Sequence, residues 1–128
     1  MLRLLHIENI AVIEQADILF ERGFNVMTGE TGAGKSIVID AISAILGERA
    51  YRDMIRTGAA RAAVRAIFDD VPELAWFAEN SVPYDTEVVV QREIYLDGKN
   101  LCRVNGVAVT VGILRRLGLQ LCSMRTTI

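Results

Sequence analysis

The segment at residues 29–36, Gly-Glu-Thr-Gly-Ala-Gly-Lys-Ser, constrains the fold of this chain more than any other feature. It matches the G-x-x-x-x-G-K-[ST] pattern of phosphate-binding loops at every fixed position. The apolar, strand-forming residues 24–28 precede it, and an apolar run begins at Ile37. A strand, a glycine-rich loop and a helix form the setting in which this pattern occurs, so the sequence predicts an α/β fold built around such a loop.

The composition of this loop suits the binding of phosphate groups. Glycine adopts backbone conformations closed to other residues, which lets successive N–H groups point toward an anion. The positive end of the following helix dipole strengthens that attraction. We therefore predict an ATP site in which Lys35 reaches the β- and γ-phosphates and the Ser36 hydroxyl binds Mg²⁺. The predicted binding residues are Gly29, Glu30, Thr31, Gly32, Ala33, Gly34, Lys35 and Ser36. The alternative is a chance match, which arises in roughly 0.5% of chains of this length.

Hydrophobic periodicity predicts the elements around the loop. Alternation of apolar and polar residues predicts two antiparallel strands at residues 2–10 and 13–20. Residues 37–46 predict a buried helix that stops at Gly47. The sequence then predicts a surface loop with a helical turn, a half-exposed strand and a short helix, at residues 48–60, 62–68 and 73–80.

Two turn dipeptides organise the second half of the chain. Asp97-Gly98 and Asn105-Gly106 are typical of β-hairpin turns. They predict a three-stranded β-meander with strands at residues 87–95, 101–104 and 107–109. Thr110 is then predicted to cap a closing helix that runs through Leu117 and ends at Gly118.

The overall composition narrows the remaining classes. A formal net charge of -2 argues against a basic nucleic-acid footprint over the whole chain. Cys102 and Cys122 lack the C-x-x-C spacing of a metal site, and His6 is the single histidine, so we expect buried or idle thiols. The chain shows neither a secretory leader nor a membrane-spanning run, and we expect a cytoplasmic protein.

ATP hydrolysis needs groups beyond the phosphate loop. A second Mg²⁺ ligand usually lies at the acidic end of a buried parallel strand, known as the Walker B strand. The nearest approach is residues 66–70, which end in Asp69-Asp70. Their alternating pattern favours a half-exposed antiparallel strand instead. The sequence therefore predicts nucleotide binding and leaves turnover open.

Several stretches carry a more specific resemblance than the loop alone. They are residues 2–13 with Asn9, the wording Thr-Gly-Glu-Thr-Gly-Ala-Gly-Lys-Ser at 28–36, and residues 39–50, 55–58 and 91–106. Through these stretches, residues 1–117 resemble the N-terminal head segment of the RecN family. That family of bacterial DNA-repair ATPases belongs to the structural-maintenance-of-chromosomes (SMC) branch of the ABC-type ATPases.

The resemblance implies a P-loop NTPase of the ABC/SMC head type, whose N-terminal lobe has a mixed sheet and a β-meander. It implies ATP and Mg²⁺ as ligands. The implied partners are the C-terminal half of the head and a second head, with DNA contacted through the full-length protein. The implied roles are repair of DNA damage, above all of double-strand breaks, and recombination, in the cytoplasm and at the nucleoid rather than at a membrane.

The resemblance also assigns roles outside the phosphate loop. Arg56 corresponds to an arginine that approaches nucleotide or DNA in related heads, and a solvated loop arginine is the alternative. Arg49 and Arg52 are expected to be surface charges, and contact with a nucleic-acid phosphate backbone is the alternative. His6 and Asn9 are expected to be structural residues on or beside the first strand.

The end of the chain departs from the family pattern. Relatives place a glutamine-containing Q-loop after the closing helix, whereas residues 118–128 lack it, and Gln120 lacks the expected neighbours. We interpret this tail as a truncation, an altered reading frame or an artificial end. The Walker B, signature and Q-loop motifs are missing, so we expect the chain alone to bind ATP without hydrolysing it. Another SMC-like or recombination-mediator head, and with less support a small P-loop kinase, remain alternatives.

Overall fold

The computed structural model describes residues 1–20 and 32–123. The predicted strand at 24–28, the loop residues 29–31 and the tail at 124–128 lie outside the described residues. In chain order the elements are β1 (Leu2–Ile10), β2 (Ile13–Leu19), α1 (Gly32–Ile45), a 3₁₀ turn (Arg52–Met54), β3 (Arg61–Phe68), α2 (Ala75–Glu79), β4 (Val88–Tyr95), β5 (Asn100–Val104), β6 (Val107–Val109) and α3 (Val111–Ser123).

A six-stranded sheet in the order β2-β1-β3-β4-β5-β6 forms the centre of the described chain. Each of its pairings is antiparallel. The opening pair of strands, the half-exposed β3 and the β-meander are confirmed. The strand that would make this sheet mixed is the one predicted at residues 24–28, outside the described residues.

Two glycines and Asn105 form the turns of the meander. Gly98 and Gly106 both have positive φ angles, of 93° and 84°, which glycine adopts without strain. The Asn105 side-chain oxygen accepts a hydrogen bond from the Val89 N–H at 2.9 Å, and its amide donates to the Pro83 carbonyl at 2.8 Å. Both predicted hairpin turns are therefore confirmed, and one of them is also tied to the chain that leads into β4.

Helices α1 and α3 cover one face of the sheet. The strands alternate buried and more exposed side chains, which places every second residue toward the helices. Helix α1 packs against β1, β3 and β4, whereas α3 packs against β5. The resulting core includes Leu5, Ile7, Ala41, Ile45, Val64, Val90, Leu114 and Leu117.

The end of α3 differs from the prediction. The Thr110 hydroxyl accepts a hydrogen bond from the Ile113 N–H at 3.1 Å, which confirms the N-cap. The helix then continues to Ser123, so the predicted end at Gly118 is wrong. A Cβ atom at Gly118 would lie 2.0 Å from the Leu46 carbonyl oxygen. This glycine therefore permits a close approach between helices and does not terminate one.

The C-terminal end of α1 agrees with the prediction, and Gly47, which follows it, also contacts α3. Helix α1 ends at Ile45, and Gly47 follows with a φ angle of 88°. A Cβ atom on Gly47 would lie 2.4 Å from the Arg115 Cα atom. The two glycines bring α3 directly against the backbone at the end of α1.

Candidate nucleotide-binding site

The predicted site begins at the N-terminal end of α1. Gly32, Ala33, Gly34, Lys35 and Ser36 form the first turn of this helix, and that turn contains no acidic residue. Ser36 is exposed. The first N–H groups of a helix lack intrahelical partners and carry the positive end of the dipole, so this turn favours an anion.

The remaining loop residues of the prediction, Gly29, Glu30 and Thr31, lie outside the described residues.

One side of α1 seats the helix on the sheet. Ile37, Val38, Ala41, Ala44 and Ile45 are buried. The apolar pattern indicated burial around nearly the whole helix, but Ile39 is 52% exposed and Asp40 is also exposed. The difference arises because the sheet covers a single side of α1 within the described residues.

A buried arginine holds the other end of α1, and our sequence analysis did not single it out. Arg92 on β4 is 2% exposed. Its Nη1 atom donates to the carbonyl oxygens of Ala44 at 2.8 Å and Glu48 at 2.6 Å. Its Nε atom donates to the Asn100 side-chain oxygen at 3.0 Å. One guanidinium thus joins the last turn of α1, the chain that follows it, and β5.

The electrostatic setting of Arg92 is that of a helix C-terminus. Burial lowers the pKa of this guanidinium from its usual value, with the Cys102 thiol acting in the opposite direction. The carbonyl groups at the end of a helix carry partial negative charge, which stabilises a nearby cation. The alternation of residues in β4 could have predicted the burial of Arg92, because Val88, Val90 and Ile94 place residue 92 on the buried face.

The loop after α1 is anchored to the β1–β2 hairpin. Ile55 is buried and pairs with Ile10 across a β-bridge. The Arg56 N–H donates to the Asn9 carbonyl at 2.8 Å, which fixes the backbone of the half-buried Arg56 beside β1. The predicted contact between Arg56 and phosphate or DNA stays a prediction.

The two other arginines of this loop lie on the surface, as expected. The Arg49 guanidinium lies 5.1 Å from the centre of the Tyr51 ring, a cation–π distance. The Arg52 Nη1 atom donates to the Leu96 carbonyl at 3.4 Å. Both side chains thus have contacts within the chain that explain their positions.

The carboxylates after β3 do not lie at the end of a parallel strand. Strand β3 is antiparallel to both of its neighbours. The N-terminal amine of Met1 lies 3.7 Å from Asp69 Oδ1 and donates to the Asp69 carbonyl at 2.5 Å. The sheet pairing confirms that residues 66–70 form a half-exposed antiparallel strand end and not a Walker B strand.

His6 and Asn9 both lie on β1, in agreement with a structural role. His6 Nδ1 forms a hydrogen bond with Asp17 Oδ1 on β2 at 2.5 Å. Asn9 has a φ angle of 56° near the hairpin turn. The His6–Asp17 hydrogen bond ties β1 to β2, and the bond from the Arg56 N–H to the Asn9 carbonyl ties β1 to the loop after α1.

The two cysteines differ in exposure. Cys102 is buried and Cys122 is exposed, and both are free thiols. Over residues 1–20 and 32–123, no cluster of three His, Cys, Asp or Glu residues is arranged to hold a metal ion. None of the helices in these ranges is long and apolar enough to cross a membrane.

Comparison with known proteins places this arrangement in a family. The sequence profile of the AAA domain matches residues 4–108. The chain belongs to the AAA domain family. This AAA domain is also 45% identical to the DNA repair protein RecN of Bacillus subtilis over 122 residues, which cover 92% of the chain and 21% of that relative. Identity to the RecN of Halalkalibacterium halodurans is 42% over 125 residues, or 94% of the chain and 22% of the relative.

The AAA domain thus spans about a fifth of the length of the RecN proteins that it matches. The similarity covers nearly the whole chain and confirms the resemblance to the RecN head segment that the sequence motifs indicated.

Solved structures give the same result for the fold. A chain from a study of ATP-driven dimerization and DNA-stimulated activation of SMC ATPases superposes on this AAA domain with a TM-score of 0.73 and 26% identity, covering 90% of our chain and 75% of that one. The SMC head domain of Thermotoga maritima gives a TM-score of 0.68 and 28% identity, covering 91% and 41%. The fold is that of an N-terminal lobe of an ABC/SMC ATPase head.

Proposed function

We propose that this AAA domain is the ATP-binding lobe of a RecN-like ATPase that acts in DNA double-strand break repair and recombination. The observation that carries the proposal is the position of Gly32-Ala33-Gly34-Lys35-Ser36 in the first turn of α1, where a helix N-terminus favours phosphate. The similarity to proteins named DNA repair protein RecN supports the biological role.

The proposed site consists of the whole loop at residues 29–36. Backbone N–H groups surround the phosphates, Lys35 neutralises the β- and γ-phosphate charge, and the Ser36 hydroxyl is a ligand of Mg²⁺. Serine oxygen is a hard ligand of the kind that Mg²⁺ prefers, and the exposure of Ser36 leaves it open to a metal–nucleotide complex. Arg56 is a further proposed contact to phosphate or DNA.

The proposed partners are the C-terminal half of the head, a second head and, through the full-length protein, DNA. The length of the RecN relatives, of which this chain spans about a fifth, supports a larger head. Exposed apolar side chains such as Ile39 and Leu119 are surface that such a partner would cover. We propose a cytoplasmic, nucleoid-associated location.

The proposed lobe comprises residues 1–117, and residues 118–128 depart from the family pattern. Helix α3 nevertheless runs across that boundary to Ser123. We expect ATP binding without turnover by this chain alone, because a Walker B strand and a water-orienting group are required for hydrolysis.

Binding of a fluorescent ATP analogue in the presence of Mg²⁺ tests the proposal. We expect Lys35→Ala to weaken binding by about 10²-fold, because a charge-assisted contact to phosphate is lost. Lys99→Ala is the matched control, since Lys99 lies on the β4–β5 turn with its side chain 82% exposed, and it should bind like the wild type. Ser36→Ala should reduce the dependence of binding on Mg²⁺.

Hydrolysis followed in the same samples distinguishes the outcomes. Binding that requires Lys35, without turnover, supports an ATP-binding lobe. A folded wild-type chain that does not bind the analogue contradicts the proposal, and rapid turnover contradicts the expectation that hydrolysis needs the rest of the head.

A further inference from the structure

We propose that Arg92 is a positioning residue of the nucleotide site. It holds the C-terminal end of α1 against the sheet and thereby sets where the first turn of α1 presents its phosphate-binding groups. This inference rests on the proposed function, because it concerns the same site. It adds a residue that lies on another strand, at the opposite end of the helix.

The contacts of Arg92 connect parts of the chain that are far apart in sequence. Its guanidinium donates to Ala44 inside α1, to Glu48 after α1 and to the side chain of Asn100 on β5. The Asn100 amide in turn donates to the Gly98 carbonyl in the β4–β5 turn at 3.3 Å. Hydrogen bonds therefore connect the β4–β5 turn, through Asn100 and Arg92, to the C-terminal end of α1.

The burial of a charge at this position indicates a geometric role. A buried cation must be hydrogen-bonded to offset its lost hydration, and apolar residues of similar size often give equal or greater stability. Arg92 occupies an inward position between Val90 and Ile94, where an aliphatic side chain would extend the core. The planar guanidinium of Arg92, however, donates several hydrogen bonds in fixed directions. It therefore fixes the positions of several oxygens at once, which an aliphatic side chain cannot do.

The end of α1 has little freedom to adjust without this contact. On its other side, Gly47 and Gly118 bring α3 into direct backbone contact with residues 46 and 47. The helix has 14 residues and is therefore about 20 Å long. A packed helix moves as a unit, so a shift at its C-terminus changes the position of its first turn. Hydrogen bonds weaken when donor and acceptor move outside a narrow range of distances and angles, so such a shift would weaken contacts to phosphate.

The test compares two variants of this contact with two controls. Arg92→Lys keeps the positive charge but loses the planar guanidinium. Asn100→Ala keeps Arg92 but removes one of its hydrogen-bond acceptors. Val88→Ala lowers stability from a buried site at the other end of β4, and Arg65→Lys changes an exposed arginine on β3. For each chain we would measure the dissociation constant of the fluorescent ATP analogue with Mg²⁺ under conditions where Trp76 fluorescence shows a folded protein.

We expect Arg92→Lys to weaken analogue binding about tenfold and Asn100→Ala about threefold, the range of measured coupling effects. Both controls should stay within about twofold of the wild type. Val88→Ala lowers stability but leaves the hydrogen bonds of Arg92 in place, so a loss of affinity confined to the Arg92 and Asn100 variants separates positioning from simple destabilisation. If Arg92→Lys does not fold, Asn100→Ala carries the comparison.

Amide hydrogen exchange provides a readout that does not depend on nucleotide. Exchange at residues 36–39 should be faster in Asn100→Ala and Arg92→Lys than in Val88→Ala. Wild-type affinity in both test variants, or an equal loss in Val88→Ala, would overturn the inference. A folded wild type that does not bind the analogue would contradict the proposed function instead, and unchanged exchange in the two test variants would then overturn the positioning role as well.

Discussion

The two faces of the six-stranded sheet carry opposite chemistry on the same strands. Among the described strands, the inner face is apolar apart from Arg92, whose guanidinium donates to carbonyl and amide oxygens. The outer face forms a groove of about 220 Å³ whose charged lining includes His6, Glu8, Arg61, Arg65, Glu93 and Arg103. On this face Arg61 forms partly exposed ion pairs with Glu8 and Glu93. From this difference we expect substitutions on the inner face to cost more stability than substitutions on the outer face.

The outer charges also affect a tyrosine beside them. Arg61 Nη1 lies 3.2 Å from Glu93 Oε2, and the Tyr95 hydroxyl donates to Glu93 Oε1 at 3.1 Å. The hydrogen bond to Glu93 raises the pKa of Tyr95 above its ordinary value. These exposed interactions remain open to solvent and salt.

The largest expected contrast between inside and outside is in thiol reactivity. Cys102 lies on the inner side of β5, whereas Cys122 is exposed on α3. Burial raises the pKa of Cys102, and a thiol reagent reaches it only after the chain opens. We expect Cys102 to react about a thousandfold more slowly than Cys122 in native buffer, measured with a chromogenic disulfide. Cys122→Ser should remove the fast phase, and a fast phase that persists in this variant would contradict the assignment.

The close contact between Gly118 of α3 and the chain at the end of α1 should not tolerate a larger side chain at position 118. Gly118→Ala would place a Cβ atom on the Leu46 carbonyl, and we expect a loss of about 3 kcal/mol in the free energy of unfolding, measured by urea denaturation. Gly112→Ala is the matched control in the same helix, because its Cβ would meet its nearest atom, Thr110 Oγ1, at an ordinary 3.9 Å. This control should raise stability by a few tenths of a kcal/mol up to about 1. Equal effects of the two substitutions would argue against the close contact.

Adjacent valines on β4 compare the two faces directly. Val90 is fully buried, whereas its neighbour Val89 is partly exposed on the other face. We expect Val90→Ala to cost about 2 kcal/mol of unfolding free energy, because it leaves a cavity. Val89→Ala should cost less than about 1 kcal/mol in the same denaturation experiment. A larger loss for Val89 would mean that the outer face is covered in solution.

The smallest expected effect concerns the outer ion pair. A double-mutant cycle with Arg61→Ala and Glu93→Ala should give a coupling energy below about 1 kcal/mol, because both side chains are partly exposed. The coupling should fall toward zero in about 1 M salt. A coupling of several kcal/mol that resists salt would show that this pair is shielded from water.

Local signals made most of the fold predictable from sequence. Asp97 and the Thr110 cap accept hydrogen bonds from residues two and three positions away, so their structural effects are visible in the sequence. The Asn105-Gly106 turn is visible in the same way, because both of its residues have positive φ angles. Alternation likewise predicted the strands, since one face of the sheet is buried. The phosphate pattern predicted a helix after the loop, and the apolar run placed that helix at residues 37–46. The structure confirms the helix but begins it earlier, at Gly32.

The errors and omissions arise where the partner is distant in sequence. Gly118 looked like a helix stop, but its role is set by Leu46, which lies on another helix end. Arg92 looked like one polar residue of a strand, although its acceptors at Ala44 and Glu48 make it a buried contact. The fully apolar pattern of α1 did not show that Ile39 faces away from the sheet. Each of these depends on tertiary packing, which periodicity does not contain.

The pairing of β1 with β3 also has a consequence for folding kinetics. His6 lies opposite Arg65, so this ladder closes a long connection that contains α1, whereas the β1–β2 hairpin and the β4–β6 meander join near neighbours in sequence. Local hairpins form quickly, and pairings with a high entropy of loop closure form later. We therefore expect the β1–β2 hairpin and the β4–β6 meander to become ordered first, and α1 to reach its final packing only when the β1–β3 ladder closes.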